Sequence, residues 1–223
     1  MAITYQNNAN GSSSGSTITT GAFSGAVNAG DLLVIFIYPY GSNSSVTLTV
    51  TDNLNSGNYV NAVNSYYSAG ELQFAAYYMV CNASGSAGTT TITATYTGGS
   101  GPFTRAYAVH YNGFVNTATL VSADTTAVNS GDSTNPTTTS FNNSYANEVS
   151  LLGCGCSTTV ISASPSGWTN RIVGNQVAIW DQYNSTSGNS VSASITLTGT
   201  AYWQTAVASF YDAPAGAAIA WIT

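Results

Sequence analysis

Side chains that could support acid–base or nucleophilic chemistry are few in this chain. It contains a single histidine, His110, eight carboxylates, three cysteines and two arginines, Arg105 and Arg171, and it has no lysine. A nucleophile must meet a base and an orienting group. His110 lies in an alternating segment between Val109 and Tyr111, which is typical of a strand residue, and no Gly-x-Ser-x-Gly elbow stands before a predicted helix. The sequence therefore predicts a protein that is not an enzyme, with no catalytic residue.

The carboxylates are interpreted mainly as structural groups. Two of them could hydrolyse a glycoside only at the right separation, whereas Asp31, Glu148 and Asp212 lie at predicted strand edges and suit turn caps. A Ca²⁺ site needs several carboxylate and carbonyl oxygens in one loop. The residues that could contribute to one are Asp52, Asn53, Asn55, Asp124 and Asp132. Their spacing matches no known loop, so we expect no cofactor, and a structural Ca²⁺ ion stays an open alternative.

The three cysteines, Cys81, Cys154 and Cys156, do not form an even disulfide framework. Cys154 and Cys156 are two residues apart in a predicted strand, so they should face the same side of a sheet. We expect small buried apolar side chains here. A bridge from Cys81 to one of the pair is the alternative, and a metal site would lack a fourth ligand because His110 is the only histidine.

Composition excludes several classes of partner. Charged residues make up 4% of the chain, hydrophobic residues make up 43%, and the net charge is −6. Nucleic acids and anionic membranes bind clustered basic side chains, which two arginines cannot supply. The longest apolar run, Leu32–Tyr40, is too short to span a bilayer. The first residues have neither the basic nor the apolar region of a secretory signal, so we expect none.

The pattern of apolar residues predicts an all-β chain. Helical periodicity is nearly absent, and segments rich in β-branched and aromatic residues alternate with turn clusters of Gly, Ser and Asn. The predicted strands are Thr17–Phe23, Asp31–Tyr40, Ser45–Thr51, Tyr59–Ser68, Leu72–Cys81, Thr89–Thr97, Thr104–Tyr111, Thr119–Asp124, Thr137–Phe141, Glu148–Cys156, Thr169–Val173, Gln176–Tyr183, Ser192–Thr198 and Trp203–Tyr211.

An internal repeat is the most informative pattern in the sequence. Four segments recur in the same order: Thr20–Phe23 with the following Asp31–Leu33 resembles Thr139–Phe141 with Glu148–Val149, Ala75–Tyr78 resembles Ala178–Asp181, Thr91–Thr95 resembles Ser194–Thr198, and Ala106–Asn112 resembles Ala206–Asp212. The expected organisation is an N-terminal arm (1–16), a first β repeat (17–115), a crossover segment (116–136), a second β repeat (137–213) and an apolar tail (214–223).

Two packings of the halves are open. We expect their strands to mix into one antiparallel two-sheet β-sandwich of jelly-roll type, because each half alone has many edges to protect. Two small sandwiches in tandem are the alternative. Residues 32–38 are apolar on both faces, which predicts a central strand covered on both sides. Thr89–Thr97 alternates and should leave one threonine-rich face in water, as an ordinary sheet surface or a ligand platform.

The two ends of the chain lead to separate expectations. The polar arm Gln6–Ser16 is expected to be mobile or ordered by a neighbouring molecule. The apolar tail is expected to dock on its own domain or on a neighbouring subunit. The residues that would dock are Ile219, Trp221 and Ile222.

Aromatic residues offer a possible carbohydrate platform. The chain has 15 tyrosines and 4 tryptophans, and sugar sites combine such rings with amide or carboxylate groups. The residues that could stack and bind a glycan are Trp168 and Trp180, with Asp181 and Gln182. Adjacent side chains of a strand point to opposite faces, so one of each aromatic pair should belong to the core.

One set of segments resembles a known class of module. Gly30–Val34, Val50–Asn53, Tyr77–Tyr78, Thr91–Thr93 and Ala106–Tyr111 are together similar to β-sandwich modules of phage virion proteins, of the capsid-decoration or tail-fibre type, and of bacterial surface proteins. The Met-Ala-Ile start without a signal is similar to phage structural proteins as well. The resemblance implies a structural role, self-association or contacts with other subunits, a place in a virion or on an extracellular surface, and no catalytic residues.

Two alternatives to a virion or surface structural protein stay open. One is a carbohydrate-binding module or adhesin that recognises cell-surface glycans. The other is a secreted filament or surface-layer subunit, which would fit the Asn-x-Ser/Thr triplets, although such triplets arise by chance in a chain so rich in Asn and Ser. The triplets begin at Asn10, Asn43, Asn82, Asn142 and Asn184.

Overall fold

A computed structural model describes most of the chain. The described residues are 3–41, 45–55, 57, 59–98, 103–114, 118–120, 127–158, 161–174 and 176–212. Over these ranges the protein is all-β, as predicted, with antiparallel strands, one short 3₁₀ turn at Ser68–Gly70 and no α-helix. None of these residues belongs to a helix of the length and apolar character needed to cross a membrane.

The described residues form eighteen strands. Those of the first half are β1 (Thr4–Ser13), β2 (Thr17–Thr19), β3 (Leu32–Tyr40), β4 (Thr47–Asp52), β5 (Val60–Tyr67), β6 (Leu72–Val80), β7 (Ile92–Thr97) and β8 (Phe103–Asn112). Those of the second half are β9 (Ala118–Leu120), β10 (Val128–Ser133), β11 (Phe141–Asn142), β12 (Glu148–Cys156), β13 (Ile161–Ala163), β14 (Thr169–Val173), β15 (Val177–Asn184), β16 (Ser190–Val191), β17 (Thr196–Leu197) and β18 (Ala201–Asp212).

Each half builds one large sheet from its own strands. The first large sheet has the order β1-β8-β3-β6-β5, and the second has the order β10-β18-β12-β15-β14, with β9 also paired to β18. Smaller sheets are β2-β7-β4 in the first half, and β11-β16 and β13-β17 in the second. In the described part of the chain no strand pairs with a strand of the other half, so the expected mixing of strands into one jelly-roll-type sandwich is not observed.

The sheets are stacked in layers, and the residue pattern of the central strands explains why. The side chains of β3 from Leu32 to Pro39 and all of those of β12 are buried. Such strands can be stable only when another layer covers each face of their sheet. The expectation that residues 32–38 form a central strand covered on both sides is confirmed.

Three apolar clusters fill the spaces between the layers. One lies between the two large sheets, and we call this contact the seam; it includes Phe36 and Phe74 from the first half and Leu151 and Phe210 from the second. A second cluster lies between the first large sheet and the β2-β7-β4 sheet. A third covers the opposite face of the second large sheet, beneath the two small sheets of the second half.

Glycines in the middle of β12 allow the two large sheets to approach closely. A Cβ atom on Gly153 would lie 2.4 Å from Phe74 Cζ and 2.6 Å from Phe36 Cδ1, and one on Gly155 would lie 2.4 Å from Tyr38 Cδ2. Glycine in a strand interior commonly marks such an approach. The aromatic rings of β3 and β6 therefore fill the space that side chains at Gly153 and Gly155 would occupy.

Two polar strands that were not predicted, β1 and β10, form sheet edges. The N-terminal arm, expected to be mobile or ordered by a neighbouring molecule, instead contains β1, which pairs with β8 of the same chain from Thr4 opposite Asn112 to Ser13 opposite Thr104. The crossover segment contributes β10, which was not predicted, and β9, which overlaps the predicted strand Thr119–Asp124, and both pair with β18. An edge strand needs only one hydrogen-bonded neighbour and can stay polar, so neither segment shows the apolar alternation used for prediction.

Candidate functional site

His110 is a buried structural residue. Its Nε2 atom lies 2.7 Å from Asp31 Oδ2, and because a carboxylate can only accept, Nε2 carries the proton. The same Oδ2 accepts a hydrogen bond from the backbone N–H of Asn28 at 2.8 Å, so Asp31 is a turn cap as predicted. His110 is 1% exposed, and its ring packs edge-on against Phe23. The imidazole therefore helps to hold the turn before β3.

Asp52 uses its oxygens within its own loop. Oδ1 accepts the backbone N–H groups of Leu54 and Asn55, and Oδ2 accepts the Asn55 side chain at 2.8 Å and the Tyr59 hydroxyl at 2.9 Å. Of the other acids considered for Ca²⁺, Asp132 lies on β10, and Asp124 lies outside the described residues. Within the described ranges no three His, Cys, Asp or Glu side chains converge as metal ligands.

All three cysteines are buried, and none of them forms a disulfide. Cys81 belongs to the cluster beneath the β2-β7-β4 sheet, whereas Cys154 and Cys156 share the cluster on the far side of the second large sheet, so the considered bridge is not formed. Burial raises the pKa of the Cys81 thiol to about 12 and that of Cys154 well above its ordinary value. Because the thiolate is the reactive form, Cys81 and Cys154 are expected to be inert.

A polar cluster crosses the seam at one side. The Tyr111 hydroxyl donates to Asp181 Oδ2 at 2.6 Å, and Arg171 Nε donates to the same oxygen at 2.8 Å. The Arg171 guanidinium also lies 4.2 Å from the centre of the Tyr5 ring, and Asn8 donates to the Arg171 carbonyl at 3.0 Å. Side chains from β1 and β8 are thus tied to side chains from β14 and β15, and Asp181 works inside the fold.

The residues predicted to stack a glycan do not form a surface platform. Trp180 is 0% exposed and Trp168 is 7% exposed, and both indoles lie in the cluster beneath the small sheets of the second half. Asp181 points to the opposite face of its strand, into the seam, and only Gln182 is partly exposed. Alternation along β15 separates Trp180 from Asp181, so these four residues do not converge on one ligand.

A regular array of threonines covers the outside of the β2-β7-β4 sheet, and we call it the threonine face. Its members are Thr17, Thr19, Thr47, Thr49, Thr51, Thr93, Thr95 and Thr97. The residues between them, such as Ile18, Val50 and Ile92, are buried beneath the sheet. Neighbouring hydroxyls are 3.0 Å apart between Thr19 and Thr93. The single solvent-exposed face expected from the alternation of Thr89–Thr97 is confirmed. None of the members of this face is charged.

A cleft of about 570 Å³ opens where the two halves meet at one end of the seam, and we call it the seam cleft. The first half contributes Tyr40 and Glu71, and the second contributes Asp132, Thr200 and Tyr202. Tyr202 is 38% exposed and lies directly opposite Asp132 in the β10–β18 pair. Sequence reasoning could not find this site because its residues come together only through the packing of the halves.

The tail residues named for docking, Ile219, Trp221 and Ile222, lie outside the described residues. Comparisons of the chain with models of protein families, with curated proteins and with solved structures gave no match.

Proposed function

We propose that this chain is a non-enzymatic structural protein that acts through protein–protein contacts, as a subunit of a virion or another extracellular assembly. The observation that carries the proposal is the threonine face, a regular neutral surface on a body of stacked sheets. The described ionisable pairs also support the proposal, because they have structural roles. Asp31 with His110 and Asp181 with Arg171 are engaged inside the fold, where they hold elements together.

The chemistry of the threonine face favours a second copy of this chain as the partner. The chain has a net charge of −6, so copies repel one another unless they meet through neutral surfaces. The threonine face is such a surface, with methyl groups to exclude water and hydroxyls to form hydrogen bonds. Because neighbouring strands are roughly 4.8 Å apart, the methyl and hydroxyl groups recur at that interval across the face. Two copies can therefore align their rows of threonines.

A charged substitution at the centre of this face tests the proposal. Thr95 lies on the middle strand and has Thr17 and Thr49 as its cross-strand neighbours. Sedimentation velocity over a wide concentration range should show assembly of the wild-type chain and its loss in Thr95→Glu, because two copies would bury like charges. The matched control is Thr196→Glu, an exposed strand threonine on another sheet. A monomeric wild-type chain, or equal effects of the two substitutions, would contradict the proposal.

We also infer that the two halves are copies of one ancestral unit. The identical strand order of the two large sheets supports this, as does a β-bulge at the same place, between Asn61 and Val63 in β5 and between Asn170 and Ile172 in β14. Similar turns precede β3 and β12. Asp31 accepts the N–H of the residue three before it, and Glu148 does the same with Tyr145 at 3.3 Å.

One of the four sequence matches differs by one residue from the alignment that the cross-strand pairs of the two large sheets give. Leu32 lies opposite Tyr111, and Val149 lies opposite Phe210, so Tyr111 corresponds to Phe210 when Asp31 corresponds to Glu148. Both rings lie in the seam. The match of Ala106–Asn112 with Ala206–Asp212 would instead place residues on opposite faces of their sheets. In the corrected register the counterpart of His110 is Ser209, which is also buried.

A further inference from the structure

The seam cleft has the groups that recognise a sugar, and it stands apart from the threonine face. It lies between the β5–β6 connection and the end of β3 on one side, and β10 and the start of β18 on the other. Clefts between packed units are common places for ligands. The described lining contains two carboxylates, two exposed or half-exposed tyrosines and several hydroxyls, and it contains no arginine.

The aromatic rings of the cleft are held in place by neighbouring rings. Tyr202 packs edge-on against Tyr67 of the first half, with ring centres 6.1 Å apart. Tyr40 stacks against the buried ring of Tyr38, with ring centres 6.4 Å apart and planes 5° from parallel. A ring that is supported on one side and open on the other offers a fixed apolar surface at small entropic cost.

The carboxylates stand beside these rings on well-defined backbone. Asp132 is the cross-strand partner of Tyr202. Glu71 follows the 3₁₀ turn in a left-handed conformation, with φ at 51°, and its carbonyl accepts the N–H of Gly41 next to Tyr40. Ionised carboxylates accept strong hydrogen bonds from hydroxyl groups. Asp132 is thus a direct neighbour of Tyr202, and the backbone of Glu71 is hydrogen-bonded to the residue that follows Tyr40.

We propose that the seam cleft binds a neutral glycan. A pyranose ring presents an apolar face of C–H groups and a rim of hydroxyls, which match the tyrosine rings and the carboxylates of Glu71 and Asp132. Two carboxylates without a neighbouring arginine disfavour an anionic ligand such as a phosphate or a sialylated sugar. Thr200 and Ser157 at the cleft can both donate and accept, so they suit a hydroxylated ligand.

Two other hollows in the described part of the surface lack this combination of groups. One measures about 240 Å³ and is lined by Ser12, Arg105 and Tyr107, among others, with no carboxylate. The other measures about 490 Å³ and has the Asp31 carboxylate but no tyrosine in its lining. Of the three, the seam cleft is the one that brings two carboxylates together with two tyrosine rings.

Binding of the full chain to a panel of neutral oligosaccharides tests the proposal. At least one oligosaccharide should bind, and Tyr202→Ala and Asp132→Asn should each weaken that binding at least about tenfold. The matched control is Tyr183→Ala, which removes an equally exposed tyrosine outside the cleft and should leave binding unchanged. Circular dichroism spectra should show that all variants stay folded.

Three results would overturn the proposal: no binding to any member of the panel, equal losses in the control and cleft variants, or unchanged binding in Tyr202→Ala. Salt separates a neutral glycan from a basic peptide, because a charged ligand loses affinity steeply when roughly 0.5 M salt screens the carboxylates. Glycan affinity should change less than about twofold, and a larger fall would count against it. Assembly through the threonine face is measured separately, so either proposal can fail without the other.

Discussion

Ionisable side chains in this protein mostly connect parts of the fold. Asp31 joins a turn to His110 on β8, and Asp181 joins β15 to Tyr111 across the seam. A buried carboxylate is costly unless donors surround it, and Asp31 and Asp181 each have two. The sequence predicted this structural use for Asp31 because of its place before a strand. It could not predict the partners of Asp181, since they lie 10 and 70 residues away in sequence.

Tyr111 gives a prediction about stability at high pH. Burial raises the pKa of its hydroxyl well above the ordinary value, and the Asp181 carboxylate raises it further. Below about pH 10 the hydroxyl is protonated in both folded and unfolded chains, so it adds no pH dependence. Above that pH only the unfolded chain loses this proton. The free energy of unfolding should then fall by up to about 1.4 kcal/mol per pH unit from this group.

The measurement is urea unfolding of the wild-type chain and of Tyr111→Phe between roughly pH 8 and pH 11. Tyr111→Phe should be less stable at pH 8 by about 1–3 kcal/mol, because Asp181 loses a buried donor. Its stability should fall less steeply above pH 10, since one buried tyrosine no longer titrates. The same slope in both proteins would show that Tyr111 does not keep its proton in the fold.

At the level of elements, strands with an apolar alternation were predicted well and polar edge strands were not. Glu148–Cys156 and Thr169–Val173 form strands with the predicted ends. β1 and β10 were missed, and they occupy the same edge position in the two large sheets. Their sequences are rich in Asn, Ser and Gly, because an edge strand over a narrow part of the core needs few apolar side chains.

Gly153 lets an element-level prediction be made. Because a Cβ atom there would overlap the rings of Phe74 and Phe36, Gly153→Ala should push the large sheets apart and lower the free energy of unfolding by at least about 2 kcal/mol. Gly21→Ala is the control, since its Cβ would meet nothing closer than 3.8 Å. Both changes can be measured by urea unfolding.

A double variant separates two effects of Gly153→Ala: overlap of the new methyl group with the rings, and the reduced backbone freedom of alanine. Phe74→Leu should remove part of the overlap, so the cost of Gly153→Ala should be smaller in that background than in the wild-type chain. A loss of less than about 0.5 kcal/mol for Gly153→Ala alone would mean that the sheets are not in close contact at this point.

At the scale of the whole molecule, the two large sheets are stacked so that the strand order of one runs opposite to the strand order of the other. β5 and β6 lie against β18, and β8 and β1 lie against β15 and β14. Sequence patterns predicted the apolar strands of the two large sheets, but not this pairing. Strand alternation shows which face is apolar, and it carries no information about which other sheet will cover that face. The seam cleft was unpredictable for the same reason.

The central claim is that packing across the seam joins the two halves into one cooperatively folded body. The seam cleft depends on this packing. Native-state hydrogen exchange of the amides in β3 and β12 tests it most directly. Both strands should exchange only through global unfolding, with equal opening free energies that match the value from urea. If β12 opened at least about 2 kcal/mol more easily than β3, the second half would unfold on its own and the seam would not join the halves.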